Sequence, residues 1–247
     1  MTGYTFRPIG KIRSCFTEKF GIPRQPGLVK EASADLEIFP EFQREEAFRG
    51  LEQFSHIWIL FVFHACVRRP WKNTVRPPRL GGNQRVGVFA SRSGFRPNPI
   101  GQSVVALSAV ETSHQRLVLR LRGIDLLDGT PVLDIKPYLP YADSIPGAAP
   151  GYTGEEPPSL FSVTFSEQAL AACREMERQR PGLELLIRNL LALDPRPAYH
   201  GRCGSHARYG MRLWCWNILF RIQGTLVHVD QIDPLTGSDS DNGFDRV

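Results

Sequence analysis

Acidic residues are missing from the middle of this chain of 247 residues. No Asp or Glu occurs from Gln53 to Val110, and the same window holds eight Lys or Arg although the net charge of the whole chain is only +5. The positive charge is therefore concentrated in one segment. Fixed cations without compensating carboxylates attract an anion, and the strongest common candidate is a phosphate backbone.

Cysteine pairs and long apolar runs are also missing. The five cysteines include no C-x-x-C pair, so we expect reduced thiols, with neither a disulfide framework nor a metal site. The N-terminus has no apolar signal region, and the longest apolar run, Ile57 to Phe63, has seven residues where a membrane-spanning helix needs about 20. We expect a cytoplasmic protein with no membrane partner.

Several catalytic and nucleotide-binding motifs are absent. The sequence contains no G-x-G-x-x-G after a strand and no G-x-x-x-x-G-K-[ST], which disfavours dinucleotide-binding and P-loop folds. It also lacks H-E-x-x-H, H-x-E with C-x-x-C, and G-x-S-x-G. Zinc hydrolysis, zinc-dependent deamination and serine hydrolysis therefore have no support.

The pattern of apolar residues predicts a mainly β fold. Strands without regular strand–helix alternation, including His56–Val67 and Arg85–Ser91, indicate a closed or nearly closed β-barrel over residues 1–145. A Pro- and Gly-rich stretch at 146–158 is typical of a linker. Residues 159–235 predict a small α+β domain with a helix over 167–180, capped by Ser166, and a hairpin of Met211–Gln223 and Thr225–Ile232. Residues 236–247 predict a flexible tail.

The acid-free window ends in a segment that presents arginines. Phe89–Gly101 is too rich in Pro, Gly and Arg for a helix or a central strand, so it predicts an ordered loop. Pro97 and Pro99 stiffen the loop and lower the entropy cost of holding the guanidinium groups of Arg92 and Arg96 for a ligand. The alternative is an arginine–carboxylate network within one subunit.

Two further segments and one histidine are candidates for a small-molecule site. Asp125–Asp143 brings carboxylates together with two tyrosines, and its Asp128-Gly129 turn could bind a ribose or an amine if its N–H groups are free. Phe20–Gly27 places Arg24 in another stiffened loop, although it could equally be an ordinary surface turn. His64 ends a buried strand and could equally be a hydrogen-bonded core residue.

Long motifs resemble those of the TsaA-like family. The motifs are Gly87–Gly101 and Asp128–Tyr138, and Asp194–Tyr199 is similar to the full-length bacterial branch, the TrmO-type tRNA adenine-37 N6-methyltransferases. The resemblance implies a single-sheeted β-barrel that binds S-adenosylmethionine, usually as a homodimer. It further implies methyl transfer to N6 of N6-threonylcarbamoyladenosine, beside the anticodon of threonine tRNA.

The resemblance also implies which residues form the site. Those expected to line the cofactor pocket are Pro23, Arg24, Gln25, His64, Ala65, Arg92, Gln102, Asp128, Gly129, Thr130 and Pro131. The residues expected to contact tRNA follow from the acid-free window, in which all of them lie: Arg68, Arg69, Lys72, Arg76, Arg85, Arg96 and Asn98. No general base is identified, and the nearest candidates are Asp134, Tyr141 and Asp143.

Two other functions fit the residues. A non-catalytic RNA-binding barrel would bind RNA without any cofactor. A methyltransferase acting on a small metabolite would bind the cofactor but would lack the salt-sensitive affinity for tRNA that a phosphate track gives.

Overall fold

A computed structural model describes residues 3–113, 116–154, 157–196 and 208–235. The N-terminal part contains eight strands and two short helices in the described chain. In order these are β1 (Gly10–Ser14), β2 (Ser33–Ile38), α1 (Glu45–Phe48), β3 (His56–Val62), β4 (Thr74–Val75), β5 (Val86–Gly87), β6 (Ile100–Ser113), β7 (Arg116–Arg122), β8 (Pro131–Pro137) and α2 (Pro140–Asp143).

Six of these strands close into an antiparallel barrel in the order β1-β2-β7-β6-β3-β8. Alternation along the strands fills the interior, since Ile57 and Ile59 of β3 and Leu119 of β7 are all fully buried. Closure leaves no open sheet edge, which removes a common route to aggregation. The prediction of a mainly β fold built on a barrel is confirmed.

Two predicted strands are shorter in the structure, and both differences follow from pairing. The ladder between β3 and β6 ends at Val62 opposite Ile100. One more backbone hydrogen bond joins the Phe63 amide to the Pro99 carbonyl at 2.8 Å, and the chain then turns as a 3-10 helix, His64–Cys66. The predicted strand Arg85–Ser91 is reduced to β5 because its partner β4 has only two residues. Val88–Ala90 then forms another 3-10 turn.

The C-terminal part is a sheet covered by two helices. Its elements are β9 (Ser162–Phe165), α3 (Glu167–Glu177), α4 (Leu183–Ala192), β10 (Arg208–Leu213), β11 (Trp216–Gln223) and β12 (Leu226–Pro234). The sheet order is β10-β11-β12-β9, with β9 parallel to β12. As predicted, the Ser166 hydroxyl caps α3 by accepting a hydrogen bond from the Ala169 amide at 3.0 Å.

The prediction of one strand over Met211–Gln223 is wrong, because this segment contains the end of β10 and all of β11. The chain turns at Trp214, which has a φ of 51° and therefore cannot continue a strand. Trp214 consequently lies in the turn, whereas Trp216, Ile218, Phe220 and Ile222 share the buried face of β11. The predicted tail, 236–247, lies outside the described residues.

The segment between β1 and β2 fixes the barrel to the C-terminal sheet. The Trp214 amide donates to the Cys15 carbonyl at 2.8 Å, and the rings of Phe20 and Phe220 stack with centroids 6.4 Å apart. The Glu18 carboxylate accepts from the Arg212 amide at 2.9 Å. The C-terminal sheet therefore holds the loop that carries Arg24. None of the described helices has the length and apolar character that crossing a bilayer requires.

A glycine in β6 gives a test of barrel packing. A Cβ built on Gly101 would lie 2.4 Å from the Phe61 ring, whereas one on Gly87 would meet nothing within 4 Å. Gly101→Ala should therefore lower the free energy of unfolding by about 1–3 kcal/mol, because the ring must move in a packed interior. Gly87→Ala, the matched control, should change it by less than about 0.5 kcal/mol. Urea denaturation measures both, and equal midpoints would contradict the packing.

Candidate active site

A cavity of about 610 Å³ opens where β3 ends. This volume lies in the range of sites that bind molecules of cofactor size. Four segments form its walls: the loop after Gly21, the end of β3 with its 3-10 turn, the arginine loop with the start of β6, and the segment between β7 and β8. Of the predicted cofactor residues, it is lined by Pro23, Arg24, Gln25, His64, Ala65, Arg92, Gln102 and Thr130.

One wall of the cavity is aromatic. The rings of Phe61 and Phe63 meet edge to face with centroids 5.0 Å apart. Gly94 and Gly101 are the small residues that this pair requires, because a Cβ on either would lie within 3.0 Å of a ring. The wall therefore offers an apolar aromatic surface against which a planar ligand group could pack.

The arginine loop is held by neutral acceptors. Arg92 Nη1 donates to Gln25 Oε1 at 2.6 Å, and Arg96 Nη1 donates to the Ser91 carbonyl at 2.7 Å. Within the described residues, neither guanidinium forms an ion pair with a carboxylate. The alternative of an arginine–carboxylate network is thus wrong for the part of the chain that is described. Both arginines line the cavity, and the charge of Arg92 acts on Asp125 there without forming an ion pair.

The Asp128-Gly129 turn belongs mainly to the barrel. Its amides are taken, because Asp128 N donates to the Phe16 carbonyl at 2.8 Å and Gly129 N donates to the Ile12 carbonyl at 2.9 Å. Asp128 Oδ1 accepts from the amide of Ser14 at 2.9 Å. The condition that the N–H groups of this turn be free is therefore not met, and Asp128, Gly129 and Pro131 are not among the residues that line the cavity.

The motif at residue 194 contacts the cavity from the C-terminal part. Asp194 binds Arg196 through two hydrogen bonds of 2.7 and 2.8 Å. The Arg196 carbonyl accepts a hydrogen bond from Arg24 Nη2 at 3.0 Å. The first half of the motif thus orients an arginine of the cavity wall, while Pro197–Tyr199 lie outside the described residues.

Of the predicted tRNA contacts, Arg96 lines the cavity and Lys72 packs against a residue that does. Lys72 lies over the Phe95 ring at 4.5 Å, and Phe95 lines the cavity. Arg96 lies 5.7 Å from the centre of the Phe89 ring, which is 73% exposed. The remaining candidates are exposed on the surface: Arg68, Arg69, Arg76, Arg85 and Asn98.

The three candidates for a general base lie outside the cavity walls. Asp134 pairs with Lys136 at 2.8 Å, and Asp143 accepts hydrogen bonds from the Trp58 indole at 3.0 Å and the Leu139 amide at 2.8 Å. Tyr141 is 86% exposed. Both carboxylates already have donors on the outer surface of the barrel.

Asp125 lines the cavity, although the sequence analysis placed it only in the candidate segment Asp125–Asp143 and gave it neither a cofactor-binding nor a catalytic role. It follows the buried Ile124, and its Oδ1 accepts a hydrogen bond of 2.7 Å from the buried Ser103 hydroxyl. Burial raises the pKa of Asp125 to about 6, although the hydrogen bond from Ser103 and the charge of Arg92 oppose the rise. The signal was an acid between apolar residues, Ile124 and Leu126, which predicts a carboxylate carried into an interior.

His64 lines the same cavity as a neutral group. Burial lowers its pKa first, and the nearby positive charge of Lys19 lowers it further, against a smaller opposing effect of Asp128. The imidazole is therefore uncharged near neutral pH. Across the parts of the chain that are described, no three His, Cys, Asp or Glu side chains converge as a metal site.

The fold is a β-barrel with a cofactor-sized cavity, and aromatic rings and arginines without ion-pair partners among the described residues form the cavity walls. This combination defines a class of protein: an enzyme or receptor that binds a small molecule beside a polyanion. Models of the tRNA-methyltransferase O N-terminal domain and the TrmO C-terminal domain match residues 11–144 and 158–235. The chain belongs to the TrmO family.

Relatives of known name agree with this assignment. The tRNA (adenine(37)-N6)-methyltransferase of Escherichia coli K12 is 46% identical over 95% of this chain and 100% of its own length. A putative S-adenosylmethionine-dependent methyltransferase, RcsF, of Pseudomonas aeruginosa is 52% identical over 85% of this chain and 89% of its own. The crystal structure of TrmO from Pseudomonas aeruginosa superposes with a TM-score of 0.79 at 43% identity, covering 94% of this chain and 99% of that chain.

The enclosed carboxylate should influence stability in a direction set by its pKa. Because Asp125 keeps its proton up to about pH 6 in the folded protein but loses it near 3.8 when unfolded, its contribution to stability is complete below 3.8 and is lost as pH rises through 6. Asp125→Asn removes this dependence. Its stability relative to the parent should rise between pH 4 and 7 by up to about 3 kcal/mol, measured by urea denaturation. Parallel stability curves would show that the carboxylate is not desolvated.

Proposed function

We propose that this protein transfers a methyl group from S-adenosylmethionine to N6 of adenine 37 in tRNA. The observation that carries the proposal is the pair of arginines at a cofactor-sized cavity, neither of which forms an ion pair with a described carboxylate. The full-length likeness to an adenine-37 methyltransferase of tRNA supports it. This substrate would place the reaction in the cytoplasm.

The residues of the cavity fit S-adenosylmethionine. Its adenine ring can stack on the wall of Phe61 and Phe63, and its carboxylate can bind a guanidinium of Arg24 or Arg92. When bound, it supplies a methyl group activated by a sulfonium. The residues that would hold and orient the ligand are Pro23–Gln25, His64, Ala65, Arg92, Gln102 and Thr130. Asp128, Gly129 and Pro131 would support Thr130, since the Asp128 carboxylate and the Gly129 amide bond to β1 and Pro131 pairs with Lys11 of β1.

The acid-free rim fits the second substrate. Exposed Arg68, Arg69 and Arg76 can follow a phosphate backbone. Arg96 lies at the cavity, where the modified base must enter, and its guanidinium suits the carboxylate of a threonylcarbamoyl group. We therefore propose N6-threonylcarbamoyladenosine of threonine tRNA as the methyl acceptor.

Mass spectrometry of tRNA nucleosides tests this function. tRNA incubated with the protein and S-adenosylmethionine should gain one methyl on the threonylcarbamoyl nucleoside at position 37, and tRNA lacking the threonylcarbamoyl group should gain less or none. If the protein binds RNA but calorimetry detects no heat of binding for S-adenosylmethionine, it is a non-catalytic RNA-binding barrel. Cofactor binding without salt-sensitive tRNA affinity would indicate a methyltransferase of small metabolites.

Arg92 gives the sharpest substitution. Its contacts with Gln25 lie at the exposed cavity wall, so Arg92→Ala should reduce methylation at least about 100-fold while the thermal midpoint changes little. The matched control is Arg122→Ala, an exposed arginine of β7 outside the cavity, which should retain full activity. Full activity of the Arg92 variant would remove this residue from the site.

We propose that two copies of the chain associate. Tyr141 and Ile145 are 86 and 72% exposed, and they flank Asp143, whose carboxylate accepts a hydrogen bond from Trp58 of β3. Exposed apolar groups of this kind favour a protein interface. Light scattering should give twice the mass of one chain, and Tyr141→Asp with Ile145→Asp should halve it. A monomer at every concentration would contradict the association.

A further inference from the structure

One ionisable group of the cavity has no part in the binding scheme above. The cavity is lined by a single carboxylate within the described residues, that of Asp125. The other ionisable side chains on its walls are Lys19, Arg24, His64, Cys66, Arg92 and Arg96. A lone acid among several cations is the one group there that can both carry negative charge and accept a proton near neutral pH.

We propose that Asp125 is the general base that takes the N6 proton of the acceptor nucleotide during methyl transfer. The inference rests on the proposed function. It replaces Asp134, Tyr141 and Asp143, because these three lie outside the cavity walls and the two carboxylates already have donors on the barrel surface.

The fold fixes this carboxylate from two sides. The backbone on either side of it is anchored in the interior, since Ile124 and Leu126 are 0 and 2% exposed. Ser103 of β6 is 1% exposed, and its hydroxyl holds Oδ1 at 2.7 Å. Ser103 is the one side chain among the described residues that donates to Asp125. The carboxylate therefore keeps acceptor capacity toward the cavity, and its position needs no ligand to form.

The proton must go somewhere for the reaction to balance. Transfer of the methyl group forms a carbon–nitrogen bond at N6 and breaks the carbon–sulfur bond of the donor, whose electron pair stays on sulfur. The nitrogen then carries one bond too many unless its hydrogen leaves, and Asp125 accepts that hydrogen as a proton. The sulfonium charge is thereby discharged and Asp125 becomes neutral, so the cavity keeps its net charge.

The surroundings of Asp125 suit this role. Desolvation raises the pKa of its carboxyl to about 6, so the group is ionised at neutral pH yet more basic than an ordinary aspartate. Arg92 supplies the facing positive charge from the arginine loop, and Ser103 supplies the hydrogen bond from β6. His64, facing the same cavity from its 3-10 turn, has a lowered pKa and adds no charge at that pH.

Asp125→Asn tests the inference, since the amide keeps the shape and the oxygen that Ser103 binds but cannot accept the proton. With saturating S-adenosylmethionine and unmethylated tRNA, kcat should fall at least about 100-fold. KM for tRNA and the calorimetric Kd for S-adenosylmethionine should stay within about threefold of the parent. Asp35→Asn, on β2 and not among the residues that line the cavity, is the control that should keep its activity.

A pH profile separates a base from a positioning group. In the parent, kcat should rise with pH through about 6 as Asp125 ionises and then level off. Ser103→Ala removes a hydrogen bond that lowers this pKa, so the rising limb should move to higher pH with the plateau kept. Carboxyl-carbon NMR of the protein without ligands should show the same displacement of the Asp125 titration.

The outcomes are distinct. The inference would be overturned if kcat of the Asn variant stayed within about threefold of the parent value. It would also be overturned if the variant no longer bound S-adenosylmethionine but kept its single-turnover rate, because the carboxylate would then hold the cofactor. A rising limb that Ser103→Ala does not move would assign the limb to another group. If the parent itself methylates no tRNA, the proposed function is wrong. If both the parent and the Asn variant methylate tRNA, only the role of Asp125 is wrong.

Discussion

Charge that is held in place without being neutralised is the constraint on which the site depends. Arg92 and Arg96 are bound by an amide oxygen and a backbone carbonyl, and no described carboxylate pairs with them. Neutral acceptors hold the two guanidinium groups in position without cancelling their positive charge. That charge therefore remains available to bind an anion. The absence of Asp and Glu over Gln53–Val110 is what makes this possible, since a carboxylate at the rim would compete with the ligand.

The barrel supplies the rigidity and the C-terminal sheet completes the cavity. β3 and β6 end their ladder at Val62 and Ile100, and the cavity opens at that point because the chain on both strands departs from the sheet. The loop carrying Arg24 is attached to the C-terminal sheet through Glu18 and Phe20, and Arg24 itself bonds to the Arg196 carbonyl. The C-terminal part therefore orients one wall of a cavity that lies in the barrel.

The sequence predicted the barrel, the arginine loop and most of the cavity lining, because composition and motif order are local properties. It predicted neither the end of β3 at Val62 nor the break at Trp214, since both depend on where a partner strand begins or ends. The sequence did not predict a role for Asp125 in the cavity for a related reason. An acid between two apolar residues resembles many turn aspartates, and only the position of Ser103, 22 residues earlier on another strand, shows that its carboxylate faces a cavity.

The placement of opposite charges in one cavity has a physical logic. An ion pair between Arg92 and Asp125 would neutralise both and leave neither an anion site nor a proton acceptor. Instead, Gln25 binds the arginine at 2.6 Å and Ser103 binds the aspartate at 2.7 Å, so each charge has a neutral partner of its own. Burial raises the pKa of Asp125 to about 6 even though the hydrogen bond from Ser103 lowers it, so the ionised form is less stable in the cavity than in water. That loss of stability is the expected signature of a group kept for chemistry, because a carboxylate that served the fold alone would be paired.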